Sequence, residues 1–288
     1  MIRNQPLSPA FDLRLLALLA LCLFIIGAST PSAAKSGPAH PTKSIDGQNY
    51  RRALSAIESG HPEQAMMAVV HGQNSALNTV IRGYAMAQPG NDFSFQELSD
   101  FINTHPDWPN LRGIQMIAEQ KVPSNLDAQE TINWFNTHPP VGLVGFYRFI
   151  DALNTMGQGE YAAQLVRDRW INRDFSNDEL YVFQARFSNY LSEANHRNRL
   201  DRLLWENDIN DARRMYNYVS EDVKQLAEAR IALANNSGNA SAICARVPSQ
   251  WQGDAGLLYQ KLHLAKKNND DDAAVDILLH APSELVRP

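Results

Sequence analysis

The chain has 288 residues, with 26 Lys and Arg against 31 Asp and Glu and a formal charge of −5. That acidic balance argues against nucleic acid as a partner, and the length is ample for a sizeable core without covalent staples. Of the two cysteines, Cys22 lies in an N-terminal apolar run, leaving Cys244 alone in the remainder and excluding an intramolecular disulfide there.

In chain order, residues 1–34 read as a secretory signal peptide. Arg3 and Arg14 precede the uninterrupted apolar run Leu15 to Ala28, and Ser32-Ala33-Ala34 forms a small-x-small cleavage site. The run is shorter than the roughly 20 residues needed to span a bilayer. Leu21 before Cys22 does not fit a lipoprotein signal, which wants a small residue there. Cleavage after Ala34 would remove Arg3, Asp12 and Arg14, leaving the mature chain one charge more acidic. These features predict a periplasmic protein with no membrane attachment after cleavage. Residues 35–48, opening KSGPAHPTK, read as a disordered tether, and residues 49–288 as one helical domain.

The helical reading rests on apolar spacing: Ala53, Leu54 and Ile57, then Ala65, Val69 and Val70, then Leu77, Val80, Ile81 and Tyr84. Ser94 with Glu97, and Ser176 with Glu179, have capping-box spacing. About fourteen short helices and no strand are expected. Five marks of Gly or Asn followed shortly by Ala punctuate the pattern: Gly60 with Ala65, Gly157 with Ala162, Asn207 with Ala212, Asn235 with Ala240 and Asn268 with Ala273. Gly and Asn accept the left-handed conformation that ends a helix, and the small Ala allows close approach of the next one. DFINTHP at Asp100 to Pro106 returns as NWFNTHP at Asn133 to Pro139, with each His-Pro ending a helix. The prediction is an all-α superhelix of tetratricopeptide-like hairpins, an α-solenoid.

Candidate chemistry is sparse. Asp270, Asp271 and Asp272 lack the alternation, Gly and distal Glu of a calcium loop, and read as carboxylates at a helix start. No two histidines of the mature chain stand three or four apart, so neither a metal nor any other cofactor is predicted. Arg197, Arg199 and Arg202, with His196 and Trp205 nearby, form the dense basic stretch. Its ordinary reading is a solvated helix face pairing with Asp201 and Glu206; its functional reading is a set of forks for carboxylates. The five tryptophans read mainly as core. Trp108, held between Pro106 and Pro109, is the exception that could stack on a sugar. The final predicted helix, Ala273 to Leu279, is aliphatic on a scale that leaves apolar surface bare.

FINTHPDWPNLRGIQMIAEQ, LDRLLWENDINDARRMYNYV and GDAGLLYQKLHLAKKNNDDDAAVDILLHAP resemble successive landmarks in the N-terminal helical region of soluble lytic murein transglycosylases. The resemblance spans Phe93 to Pro282 and is most specific at His105 to Pro109 and at Arg199 to Trp205. It implies a ring-like superhelical platform. It also implies peptidoglycan as partner, with other periplasmic cell-wall proteins; on the functional reading of the residues, Arg197, Arg199 and Arg202 would meet its stem-peptide carboxylates and Trp108 its sugars. In that family a C-terminal lysozyme-like domain cleaves glycan strands without hydrolysis, leaving a 1,6-anhydro end. Its acid/base Glu is followed by Ser, with Gly-Leu-Met-Gln downstream. Here the only Glu-Ser is Glu58-Ser59 and no such stretch follows, so no catalytic residue is assigned. The chain then reads as a non-catalytic platform, incomplete at its C-terminus. The alternative is a periplasmic tetratricopeptide-like scaffold that binds partner proteins and has no enzyme activity.

Overall fold

The structure, a computed structural model, describes residues 45–72 and 74–281. The expected signal peptide, most of the tether and the last seven residues lie outside the described residues. Residues 45–48, assigned above to the tether, begin the first helix. Among the described residues there are fifteen α-helices and no strand. They are α1 (Ile45–Glu58), α2 (Pro62–Val69), α3 (Ser75–Met86), α4 (Phe95–Thr104), α5 (Leu111–Lys121), α6 (Ala128–Thr137), α7 (Leu143–Thr155) and α8 (Gly159–Asn172). There follow α9 (Asn177–Phe187), α10 (Glu193–Trp205), α11 (Ile209–Arg214), α12 (Glu221–Ala234), α13 (Ala240–Cys244), α14 (Ala255–Lys267) and α15 (Asp271–Leu279).

Five helix ends are closed by one device. After α1, α7, α10, α12 and α14 the chain turns left-handed at Gly60, Gly157, Asn207, Asn236 and Asn269, with φ of 76°, 73°, 59°, 50° and 58°. The next N–H reaches back to a carbonyl inside the last turn: His61 to Ala56 and Gln158 to Leu153 at 2.8 Å, and Asp208 to Leu203, Ser237 to Ala232 and Asp270 to Ala265 at 2.9 Å. These are Schellman closures, which satisfy carbonyls the helix itself leaves orphaned. In the two Asn-Asn pairs the left-handed residue is the second, Asn236 and Asn269, not Asn235 and Asn268. The buried alanine beyond the last mark is correspondingly Ala274, not Ala273. Ala65, Ala162, Ala212 and Ala240 are buried as expected.

The two copies of the DFINTHP repeat share their start and stop. α4 and α6 start on Ser94 and Asp127, whose side chains accept the N–H of Glu97 and Glu130. Both helices end on a histidine, and Nδ1 of His105 and of His138 lies 3.1 Å from the Phe101 and Trp134 carbonyls respectively. The capping boxes at Ser94 and Ser176 form, and a third forms at Ser192 with Asn195.

The chain divides into two compact units, before and from Met86. In the first, α1 packs on α2 around Ala53, Ile57, Ala65, Val69 and Ile81, and Tyr50 Oη donates to Asn78 Oδ1 at 2.9 Å. In the second, helices pack on their successors, as α4 on α5, α6 on α7, α7 on α8 and α14 on α15. They also pack on the next but one: α5 on α7, α8 on α10, α10 on α12 and α12 on α14. Such near-neighbour packing is how stacked hairpins bury their faces. The core of this unit is aromatic at its centre, where Phe183 meets Phe146, Trp170, Phe175 and Phe187.

Candidate functional site

The basic stretch of α10 does not make one surface. Arg199 is 1% exposed, and its Nη1 donates to the carbonyls of Trp170 and Arg173 at 2.6 Å each. Its guanidinium lies 5.1 Å from the Trp170 ring and 4.9 Å from that of Phe175. Arg202 Nε donates to Ile171 O at 2.7 Å, and its other nitrogens reach Asp174 at 2.9 Å and Glu206 at 2.5 Å. Both arginines thus close the C-terminus of α8, supplying donors to its last carbonyls and positive charge to the negative end of its dipole. Arg199 and Arg202 are therefore hairpin-joining residues. Arg199 does not belong to a solvated face. Burial pushes the Arg199 pKa down to about 10.

Trp108 is half-buried, edge-on to Phe101 at 5.2 Å and to His105 at 6.1 Å. It forms one rim of the core cluster of Leu98, Phe101, Ile114 and Ala118. His196 stacks on Tyr218 and meets Trp170 edge-on, both at 5.3 Å.

Arg197 alone of the three arginines is exposed, and it marks a cleft. Residues of α10, α12, α14 and the short 3-10 turn Ser249–Trp251 enclose a hollow of about 260 Å³, lined by Arg197, Asp201, Trp205, Arg230, Trp251 and Asp254 among others. Arg230, 3% exposed, lies at its base. It pairs with Asp201, stands 3.6 Å from Asp254 Oδ1, and sits 5.3 Å over the Trp205 ring. Gly256 makes room for it: a Cβ there would fall 2.0 Å from the guanidinium carbon. Arg197 covers the Trp251 ring at 5.3 Å. Trp205 in turn touches Tyr259 at 5.1 Å, and Tyr259 stacks on His263 at 6.1 Å.

The chain matches no family model, no curated protein and no solved structure. What the cleft can do is therefore read from its own groups. Asp201 pairs with Arg230, Asp254 also caps α14 by accepting the N–H of Leu257 at 2.8 Å, and the rest of the lining mixes indole and aliphatic groups with Arg197 and Asn198.

Glu119 is a buried carboxylate elsewhere in the same unit, 0% exposed. Its oxygens accept the N–H groups of Val141 at 2.6 Å and Gly142 at 2.7 Å, so it fastens the start of α7. Burial raises its pKa, while these bonds and Arg169 pull it back down. Both oxygens are occupied and no solvent reaches them, a structural role. Glu58 is exposed in the last turn of α1. Asp270 accepts the N–H of Ala273 at 3.0 Å as a helix cap, and Asp271 pairs with Lys266 at 2.6 Å, which lowers the Asp271 pKa.

Arg230 and Gly256 escaped the sequence reading. The signal was present: Val223, Leu226, Ala227 and Arg230 occupy one buried stripe of α12 at helical spacing, so the arginine stands where an apolar residue is expected. Gly256 stands just inside α14, behind its capping Asp254.

Proposed function

We propose that this chain is the non-catalytic helical platform of a periplasmic protein of the soluble lytic murein transglycosylase kind, and that it holds peptidoglycan without cleaving it. The observation that carries the reading is the role of Arg199 to Trp205, the most specific part of the resemblance. Arg199 and Arg202 close the end of α8, while Asp201 and Trp205 belong to the cleft shared by α10, α12 and α14. One segment thereby ties successive hairpins together and shapes an open groove. Next-but-one packing supports a superhelical array that continues hairpin by hairpin. Glu58, the one Glu-Ser glutamate, is exposed in the last turn of α1 and lines neither this cleft nor a buried site.

The test is incubation of the purified chain with peptidoglycan sacculi, followed by sedimentation and by mass spectrometry of the soluble fraction. The expected result is co-sedimentation with no 1,6-anhydro-muropeptides above a protein-free control. Failure to co-sediment would overturn the platform reading, and anhydro products would overturn its non-catalytic part.

A second reading, a scaffold for partner proteins, is favoured by α15, whose Val275, Leu278 and Leu279 are 53%, 59% and 76% exposed. Apolar side chains grouped on one short helix suit a protein contact.

A further inference from the structure

We infer that α15 of one copy of this chain docks in the groove between α2 and α3 of a second copy. The exposed Val275, Leu278 and Leu279 stand at i, i+3 and i+4, so they share one face of α15, with Asp272 one turn before Val275. Ala274 is the buried residue of that helix. Apolar anchors at this spacing are how an amphipathic helix enters an apolar groove. Such a groove lies in the first unit. Met66, Met67, Val69 and Val70, from α2 and its end, with Thr79 and Arg82 of α3, line a hollow of about 550 Å³. Val69 is buried, while Met67 and Val70 are 67% and 69% exposed. On both surfaces the exposed apolar side chains are grouped, not scattered singly, which is the mark of a contact surface. Methionine, unbranched and polarizable, adapts to the side chains it receives.

Charge selects the occupant. From Asp270 to Leu279, α15 and its cap carry four aspartates and no lysine or arginine. Two α15 helices face to face would therefore set like charges together, and an anionic membrane surface would repel the same face. The lining of the α2–α3 groove, among the described residues, holds Arg82 and no carboxylate, which complements that acidic helix. Asp270 caps α15, Asp271 lies 2.6 Å from Lys266, and Asp276 lies 3.2 Å from His280. Asp272, exposed and one turn before the anchors, is the carboxylate left to meet Arg82. Because helix and groove are different surfaces, the contact is heterologous: each copy offers both, and copies add in series. A helix of nine residues covers far less than the roughly 1,200 Å² of a stable interface, so the contact is weak, with a dissociation constant on the order of 10–100 µM. In dilute solution α15 is bare.

This inference rests on the second functional reading, whose α15 surface it fills, and is independent of peptidoglycan. The test is sedimentation velocity of the purified chain from about 1 to about 200 µM, a range that brackets the expected constant. The parent should pass from monomer to a concentration-dependent series of larger species. Leu278→Asp spoils the helix and keeps the groove; Met67→Asp spoils the groove and keeps the helix. Both positions are exposed, and thermal melts matching the parent verify the fold. Each variant alone should remain monomeric. Their equimolar mixture should form a one-to-one pair and nothing larger, because one intact helix and one intact groove remain between them. Asp272→Lys should weaken the parent's association by about fivefold, the scale of one exposed ion pair. A parent that stays monomeric overturns the inference and leaves the scaffold reading to a different protein. Parent-like assembly of Met67→Asp or of Asp272→Lys, or a mixture that forms no pair, would show that α15 does not use this groove. Parent-like assembly of Leu278→Asp would overturn the inference and take from the scaffold reading the surface that favours it.

Discussion

Arg199 and Arg197 are two residues apart, and a helix turns by about 100° per residue, so their side chains leave α10 on nearly opposite sides. A basic cluster in the linear sequence is therefore split, one arginine under the Trp170 and Phe175 rings and the other over Trp251. The sequence made the cluster legible but not its division, because nothing local says which side of α10 faces α8. His196 shares the buried side, between Trp170 and Tyr218, with Nδ1 unpaired. Burial holds its pKa below the ordinary value, with Glu193 pulling weakly upward. Between the ordinary value and the lower folded one, the unfolded chain takes up a proton that the folded chain refuses. Stability contributed by the neutral ring is thus complete above about pH 6.5 and is lost as pH falls through that window. Urea midpoints should drop from about pH 7.5 to about pH 5.5, and His196→Phe should flatten part of that slope. An identical slope in the variant would show that another group titrates.

At the scale of helices and their connections, what could be read was local. Capping boxes, His-Pro stops and the hairpin marks involve partners a few residues apart, and the structure forms them where expected except at the two Asn-Asn pairs. The slip from Asn235 and Asn268 to Asn236 and Asn269 has a local cause too: either Asn of each pair can adopt the left-handed turn, and one more helical bond decides for the second. The loop after α6 depends instead on distant partners. Gln115 donates to the carbonyls of His138 and Pro139, Arg169 to Pro140 O, and Glu119 accepts from Val141 and Gly142, so the segment is tied from α5 and α8 together. Gly145 leaves the space for that carboxylate, since a Cβ there would lie 2.5 Å from Glu119 Oε2. Glu119→Ala should cost roughly 2–3 kcal/mol, because it strands backbone donors beside α7. Gly145→Ala should act in the same direction by displacing the carboxylate. Both are read from urea denaturation. A Glu119→Ala protein as stable as the parent would mean that water replaces the carboxylate without loss.

At the scale of the whole chain, all-α content was legible from periodicity, whereas the distribution of stability along it was not, because it depends on which faces find neighbours. Within the second unit, α12 buries eight residues and α15 buries only Ala274. Local opening is easiest where few apolar contacts must be broken. Amides of α15 should therefore exchange with solvent at nearly unprotected rates, while those of α7 to α10, around the aromatic centre, exchange only when that centre unfolds. Phe183, 0% exposed and in ring contact with Phe146, Trp170, Phe175 and Phe187, is the residue through which to test the coupling. Phe183→Ala should destabilise by roughly 3–5 kcal/mol and lower protection in α7, α8, α9 and α10 together, because all four pack on that centre. α15 should be unchanged, since a stacked array passes strain mainly between neighbours. Hydrogen exchange followed by mass spectrometry resolves each helix separately. Equal protection of α15 and α12 in the parent would show that the exposed Val275, Leu278 and Leu279 are covered in solution, and would favour the partner-binding scaffold over the open platform.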